Sequence, residues 1–177
     1  MSKFQLLTQI ISQRKAIRHY QNKKIPSKLI EEIIKIACRA PSWLGTEPWF
    51  ILTVDKEKIK KNLYPLANQQ PQVLECSHLF LLFSAKKTRL TPERAKQQCF
   101  ILLQNFLLLF TSLNIATCPM GGFQETEIIA YCEKNNYIPQ DYYNLAVIFT
   151  AGYPQTEKDW EKDIKEKEWK SVFKLIS

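Results

Sequence analysis

At 177 residues with 45% apolar side chains, the chain is long enough for one domain to bury a core unaided, which argues against a stapled miniprotein or a persistently disordered chain. Its five cysteines are odd in number and include no Cys-x-x-Cys pair, so neither a disulfide framework nor a zinc knuckle is suggested, no metal site is expected, and a reducing cytoplasm fits. The formal charge of +8 lies in residues 1–155, because six lysines and six acids cancel from Thr156 onward; no nucleic-acid motif accompanies it, which leaves a positive field for a phosphorylated anion or ordinary solubility.

Leu6, Leu7, Ile10 and Ile11 follow helical spacing and end at the basic run RKAIRHY; without a small-residue cleavage site this start reads as an amphipathic helix, not a signal peptide. A second helix follows, capped by Ser27 after Pro26, with Ile30, Ile33, Ile34 and Ala37 on its apolar face and a stop at Pro41. Residues 41–48 form a loop. WFILTV, residues 49–54, predicts a strand, and Asp55 is placed to cap a lysine-rich helix running to Leu63. HLFLLFSA, residues 78–85, is apolar on both faces and predicts a central strand. Thr91 and Pro92 open a long helix to about Leu113, whose apolar part, residues 99–113, is interrupted by Gln104 and Asn105 and is too short to span a bilayer. After it come a short extended segment ending in a Gly121-Gly122 turn, a helix from about Thr126, and a last strand over residues 145–151 closed by Gly152 and Pro154. Three strands among five or so helices imply one layered domain of α and β elements, with a charged C-terminal arm from about residue 156; the alternation alone leaves a parallel sheet open.

Few residues stand out for chemistry, since P-loop, Gly-x-Gly-x-x-Gly, Gly-x-Ser-x-Gly and metal-cluster patterns are missing. His78 opens an apolar strand and reads as structural; His19 lies in the basic run, placed for a role or simply exposed. Arg14, Lys15 and Arg18 gather three cations where a helix ends, suited to a phosphate, with helix-end complementarity as the competing explanation. The loop APSWLGTEPW is stiff and carries unpaired backbone donors, as site-lining loops do. In it Trp49 reads as packing, and Trp43 as packing or site in equal measure.

In this order the segments resemble the nitroreductase family of FMN-dependent enzymes. Its Arg-Arg-Ser-x-Arg-x-Phe motif is matched by Arg14, Lys15, Ala16, Ile17, Arg18, His19 and Tyr20, and its Ala-Pro-Ser-x-x-Asn-x-Gln-Pro-Trp motif by Ala40, Pro41, Ser42, Trp43, Leu44, Gly45, Thr46, Glu47, Pro48 and Trp49. NQQPQV before the central strand, the turn from Pro119 to Phe123 and the closing AGYP fall at the matching places. The resemblance implies an α+β fold, a three-layer α-β-α sandwich with a central, mostly antiparallel sheet and FMN at a homodimer interface. It implies hydride passing from NAD(P)H through flavin N5 to a nitroaromatic or quinone-like acceptor by a ping-pong mechanism. Arg14 and Lys15 would then contact the phosphate and ribityl chain, and Arg18 the pyrimidine edge, with Gln69 and Gln72 near that edge. Pro119, Gly121 and Gly122 would form the turn whose N–H groups lie near N5, while Pro41, Ser42 and Trp43 would reach the flavin of the other chain, and Gly45 in the same loop would be a cofactor-binding residue.

The sequence also departs from the family. Ala16 replaces a serine that binds phosphate or ribityl oxygen, Gly45 an asparagine and Glu47 a glutamine, and the C-terminal family arginine falls at Lys167, with Lys165 nearby. Each lost neutral hydrogen bond is worth about 1 kcal/mol, so weaker FMN binding than in relatives is implied. A flavin-binding storage or sensing protein with little turnover is the alternative these losses motivate. A basic nucleic-acid-binding module rests on net charge alone.

Overall fold

The structure, a computed structural model, describes residues 1–161; the rest of the charged arm, with Lys165 and Lys167, lies outside the described residues. Four strands, β1 (Trp49–Val54), β2 (His78–Ala85), β3 (Ala116–Met120) and β4 (Tyr143–Gly152), form an antiparallel sheet in the order β1-β2-β4-β3. β2 is buried throughout except at Ala85, as its two-sided apolar sequence requires. Leu79, Leu81 and Phe83 enter the core on one face, Phe80 and Leu82 that on the other.

The helices are α1 (Lys3–Gln13), α2 (Ser27–Ala37), α3 (Glu57–Leu63), α4 (Gln72–Glu75), α5 (Pro92–Ser112) and α6 (Glu125–Lys134). One face of the sheet is covered by α2 and α5, where Phe80 stacks on Phe149 with ring centroids 4.5 Å apart and Phe106 and Phe110 close over them. Burying each such ring stabilises the fold by about 1.5–3 kcal/mol. Leu63 of α3, Val73 of α4, and Ile128 and Cys132 of α6 cover the other face, completing the three layers. The register shifts between Leu82 and Phe83, which pair with Val147 and Leu145. That bulge at Ala146 lets Leu145 and Val147, two residues apart, enter opposite cores.

Several local expectations need correction. Ser27 does not cap α2: it is already helical, and the Pro26 carbonyl takes the Leu29 and Ile30 N–H groups at 3.0 and 3.2 Å. Asp55 does not cap α3, whose N-cap is Lys56; the Asp55 carbonyl instead accepts from Lys24 Nζ at 3.0 Å. The extended segment after the long helix is a full strand, β3, because β4 offers its free edge to it. Thr91 caps α5 as expected, and Asn105 breaks the apolar run of α5 for a reason: its Nδ2 donates to the Ala37 carbonyl at the end of α2 at 3.0 Å. Among the described residues no helix is long and apolar enough to cross a membrane, and no His, Cys, Asp and Glu group suits a metal ion.

His78 sits at the buried start of β2, where Ser77 Oγ accepts the Ile25 N–H at 2.7 Å and lies 3.0 Å from His78 Nδ1. Burial lowers the imidazole pKa below its ordinary 6.5, opposed by Asp55 and assisted by Lys24 and Lys60. The unfolded chain therefore binds the proton first, so the His78 contribution is complete above about pH 6.5 and is lost as the pH falls through the lower folded value. Urea unfolding should show stability declining as the pH falls from about 6.5 toward 5, with His78→Gln reducing that slope.

Candidate functional site

The basic segment leaves α1 at Arg14, whose own N–H still donates to the Ile10 carbonyl at 3.1 Å, and then runs extended along the sheet. Ala16 bridges Thr117 in parallel, and the Ile17 N–H donates to the Thr117 carbonyl at 3.0 Å. Farther on, Tyr20 bridges Pro154, the Gln21 N–H donates to the Tyr153 carbonyl at 2.9 Å, and the Gln155 N–H to the His19 carbonyl at 3.1 Å. The segment is thus stitched to both β3 and the end of β4. Residues 17 and 20 point inward and are buried, which leaves Ala16, Arg18 and His19 exposed. Arg14 and Lys15 are half-buried, and Lys15 Nζ donates to the Trp160 carbonyl.

Tyr20 is the bolt of this arrangement. Its hydroxyl donates to the Ile17 carbonyl at 2.8 Å and pairs with Thr150 Oγ1 at 2.6 Å, and burial raises its pKa well above 10.0. Its ring lies where a side chain on Gly152 would be: a Cβ there would come within 2.7 Å of Tyr20 Cδ1.

Arg18 and Gln72 converge on Cys118. Burial raises the Cys118 thiol's pKa, and the positive charge of the neighbouring Arg18 guanidinium draws it part of the way back down. Gln72 Nε2 approaches the sulfur at 4.0 Å and donates to Gln70 Oε1 at 2.9 Å. Gln70 Nε2 in turn donates to the Gly122 carbonyl at 2.7 Å. Pro119 follows Cys118 in β3, and Gly121 and Gly122 leave its end exposed to solvent. Arg18, Gln72, Pro119, Gly121 and Gly122 therefore meet in one place. Gln69 adjoins this group on an exposed turn with φ of 53°, its N–H held by the Tyr64 carbonyl at 3.0 Å.

The loop of Pro41, Ser42, Trp43 and Gly45 stands apart. Ser42 Oγ accepts the Glu47 N–H at 3.0 Å, the Gly45 N–H donates to the Ser42 carbonyl at 3.1 Å, and the Trp43 N–H donates to Gln98 Oε1 of α5 at 2.9 Å. Leu44, Gly45 and Glu47 all have positive φ, a conformation that costs a non-glycine residue about 1–2 kcal/mol. Trp49 packs against the core, whereas Trp43 is 42% exposed. Sequence reasoning missed Gln70 and Cys118. NQQPQV did mark the right segment, but which glutamine faces the turn depends on the left-handed backbone at Asn68 and Gln69.

This sheet order, with helices on both faces, defines the nitroreductase fold. A nitroreductase-like protein of Streptococcus mutans superposes with a TM-score of 0.83 at 16% identity, covering 99% of this chain and 100% of that one. A protein of Exiguobacterium sibiricum solved in complex with FMN gives 0.84 at 18% identity, covering 96% and 97%. The chain belongs to the nitroreductase family, whose model matches residues 11–89 and 69–153. An Archaeoglobus fulgidus relative, provisionally named NADH dehydrogenase/NAD(P)H nitroreductase, is 28% identical over 152 residues, which is 85% of this chain and 87% of that protein.

The Tyr20 bolt predicts two separable losses. Gly152→Ala forces the ring aside and should cost about 1–3 kcal/mol by overpacking. Tyr20→Phe leaves Thr150 Oγ1 and the Ile17 carbonyl underpaired and should cost about 1–3 kcal/mol. Chemical denaturation of both variants checks this, and unchanged midpoints would remove the bolt from the account.

Proposed function

We propose that this protein is an FMN-dependent oxidoreductase that takes electrons from NADH or NADPH and passes them to an electron-poor small molecule, nitroaromatic or quinone-like, in a ping-pong cycle. One observation carries the reading: Arg18, the Gln72 amide and the Gly121-Gly122 turn, drawn from a span of more than a hundred residues of chain, meet around Cys118 and Pro119. Family membership and the FMN complex of the Exiguobacterium sibiricum protein support it.

The residues fit such a cofactor. A Cβ built on Gly121 meets nothing within 4 Å, so the turn fronts open space and its backbone is approachable by a flat ring. Arg14 and Lys15 supply the charge for a phosphate, and Arg18 lies with the amide donors, where positive charge suits an electron-rich ring edge. When bound, FMN supplies reversible two-electron chemistry; the chain binds it, orients it and sets the charge around it. Gly121 and Gly122 are assigned to the turn facing the reactive ring atom. Ala16, Gln69 and Pro119 are assigned to the wall of the site, and Lys165 and Lys167 to the phosphate on the family resemblance alone.

A second copy of the chain completes the proposal. α1 has no buried residue, and its Phe4, Leu6, Leu7 and Ile11 are exposed beside α5, which itself exposes Phe100 and Ile101. Homodimerisation would cover this surface, and the loop of Pro41, Ser42, Trp43 and Gly45, whose hydrogen bonds run within the loop and to Gln98 of α5, would serve the partner's cofactor. The five unpaired cysteines suit a reducing cytoplasm. The alternative, a flavin carrier with little turnover, is favoured by the missing hydroxyl at Ala16.

Purified protein should show the absorption bands of oxidised flavin, bleached by NADH or NADPH and restored by a nitroaromatic or quinone, with parallel double-reciprocal plots. Yellow protein that NAD(P)H leaves unbleached would favour the carrier, and protein that cannot be loaded with FMN would end the proposal. Arg18→Ala should weaken FMN binding by roughly ten-fold or more, as expected for a charge-assisted contact. The double variant Leu7→Glu, Ile11→Glu should shift sedimentation from dimer to monomer and lower FMN retention with it.

A further inference from the structure

We propose that Gln70 is a positioning residue, acting through the Gly122 carbonyl and the Gln72 side chain to aim the glycine turn. The inference rests on the function proposed above. Its carboxamide lies between three partners: Nε2 donates to the Gly122 carbonyl at 2.7 Å and the Ala67 carbonyl at 3.2 Å, while Oε1 accepts from Gln72 Nε2 at 2.9 Å. Both amide protons and one oxygen lone pair are used, and the reversed orientation would set oxygen against two carbonyls and nitrogen against a donor. Only a glutamine meets this demand. Glutamate lacks the donors, lysine lacks the acceptor, and asparagine is one methylene shorter.

The backbone explains why this glutamine, and neither neighbour, performs the task. Asn68 and Gln69 are left-handed, with φ of 52° and 53°, which turns the chain so that the Gln70 N–H reaches the Ala67 carbonyl at 3.3 Å before Pro71. Gln69 is exposed and Gln70 half-buried against the turn. On the opposite side, the β3 ladder ends at Met120, and the Gln124 N–H is held by the Leu66 carbonyl at 2.8 Å. Residues 121–123 bridge these two fixed points, and two of the three are glycines, the residues that lose most freedom on ordering. The Gln70 amide ties this span at its middle. Gly122 permits the approach, since a Cβ on it would sit 3.3 Å from Asn68 Nδ2 and 3.8 Å from Gln70 Nε2. One side chain therefore sets both the turn and the Gln72 amide, the two neutral donor groups of the proposed site.

The test compares FMN-loaded wild type with Gln70→Met, which removes all three bonds, and Gln70→Glu, which removes the two donations but can still accept from Gln72. Backbone 15N order parameters at residues 121–123 should fall from the rigid range of about 0.85 to about 0.6 or below in both variants, while those of β2 and β4 stay unchanged. Stopped-flow flavin reduction at saturating NAD(P)H should slow by about ten-fold, with the half-saturating NAD(P)H concentration within about two-fold of wild type, as misaimed groups predict. Turn order parameters and limiting reduction rate both unchanged in Gln70→Met would overturn the proposal, and so would a lowered melting temperature with an unchanged limiting rate. A wild-type protein that takes up no FMN would instead end the functional reading, while the order parameters still decide whether Gln70 holds the turn.

Discussion

A strand sealed on both faces has no water to satisfy its backbone, so every N–H and C=O of β2 must be met by a neighbouring strand. β1 and β4 meet them, and the rest of the molecule is arranged around that requirement. Because β2 sends Phe80 and Leu82 one way and Leu79, Leu81 and Phe83 the other, two helical layers are needed, and the chain supplies α2 and α5 for one and α3, α4 and α6 for the other. The stack of Phe80 on Phe149 then locks β4 in register with β2 on the α5 side.

The candidate site grows at the edge this frame leaves open. β4 continues to Gly152, where the absent side chain admits the Tyr20 ring, and Tyr20 fixes the segment that carries Arg14, Lys15 and Arg18. β3 pairs with β4 on one side and receives Ile17 through Thr117, so the cations and the glycine turn share one support. Three cations are thereby held along one sheet edge, so the cost of gathering their charges is met on folding.

A second polar network holds the approach from the other side. Lys60 is almost wholly buried in α3, where its Nζ donates to the Leu74 and Cys76 carbonyls at 3.2 and 2.6 Å, and burial lowers its pKa. It closes the end of α4, the short helix that presents Gln72. Cys76 beside it is a buried thiol pushed up to about 12, so it serves as packing and not as a nucleophile. Gln72, Gln70 and the glycine turn thus hang from a segment clamped by a buried cation.

The amino-acid sequence by itself determined the elements that periodicity governs. The two-faced run of residues 78–85, the Thr91 and Pro92 start of α5 and the β1 run follow from side-chain pattern and local backbone chemistry, which act over a few residues. Ordered motifs also marked both the basic segment and the glycine turn, and with them the family. Local chemistry erred where the backbone path decided the partner: Ser27 and Asp55 are good caps in isolation, but the helices begin one residue before or after their reach. Only the tertiary structure decided the antiparallel order β1-β2-β4-β3, the bulge at Ala146 and the choice of Gln70 over Gln69, because each depends on groups far apart in the chain meeting at hydrogen-bond distance. No spacing along the sequence encodes such a meeting; it is set when the two cores close on the sheet.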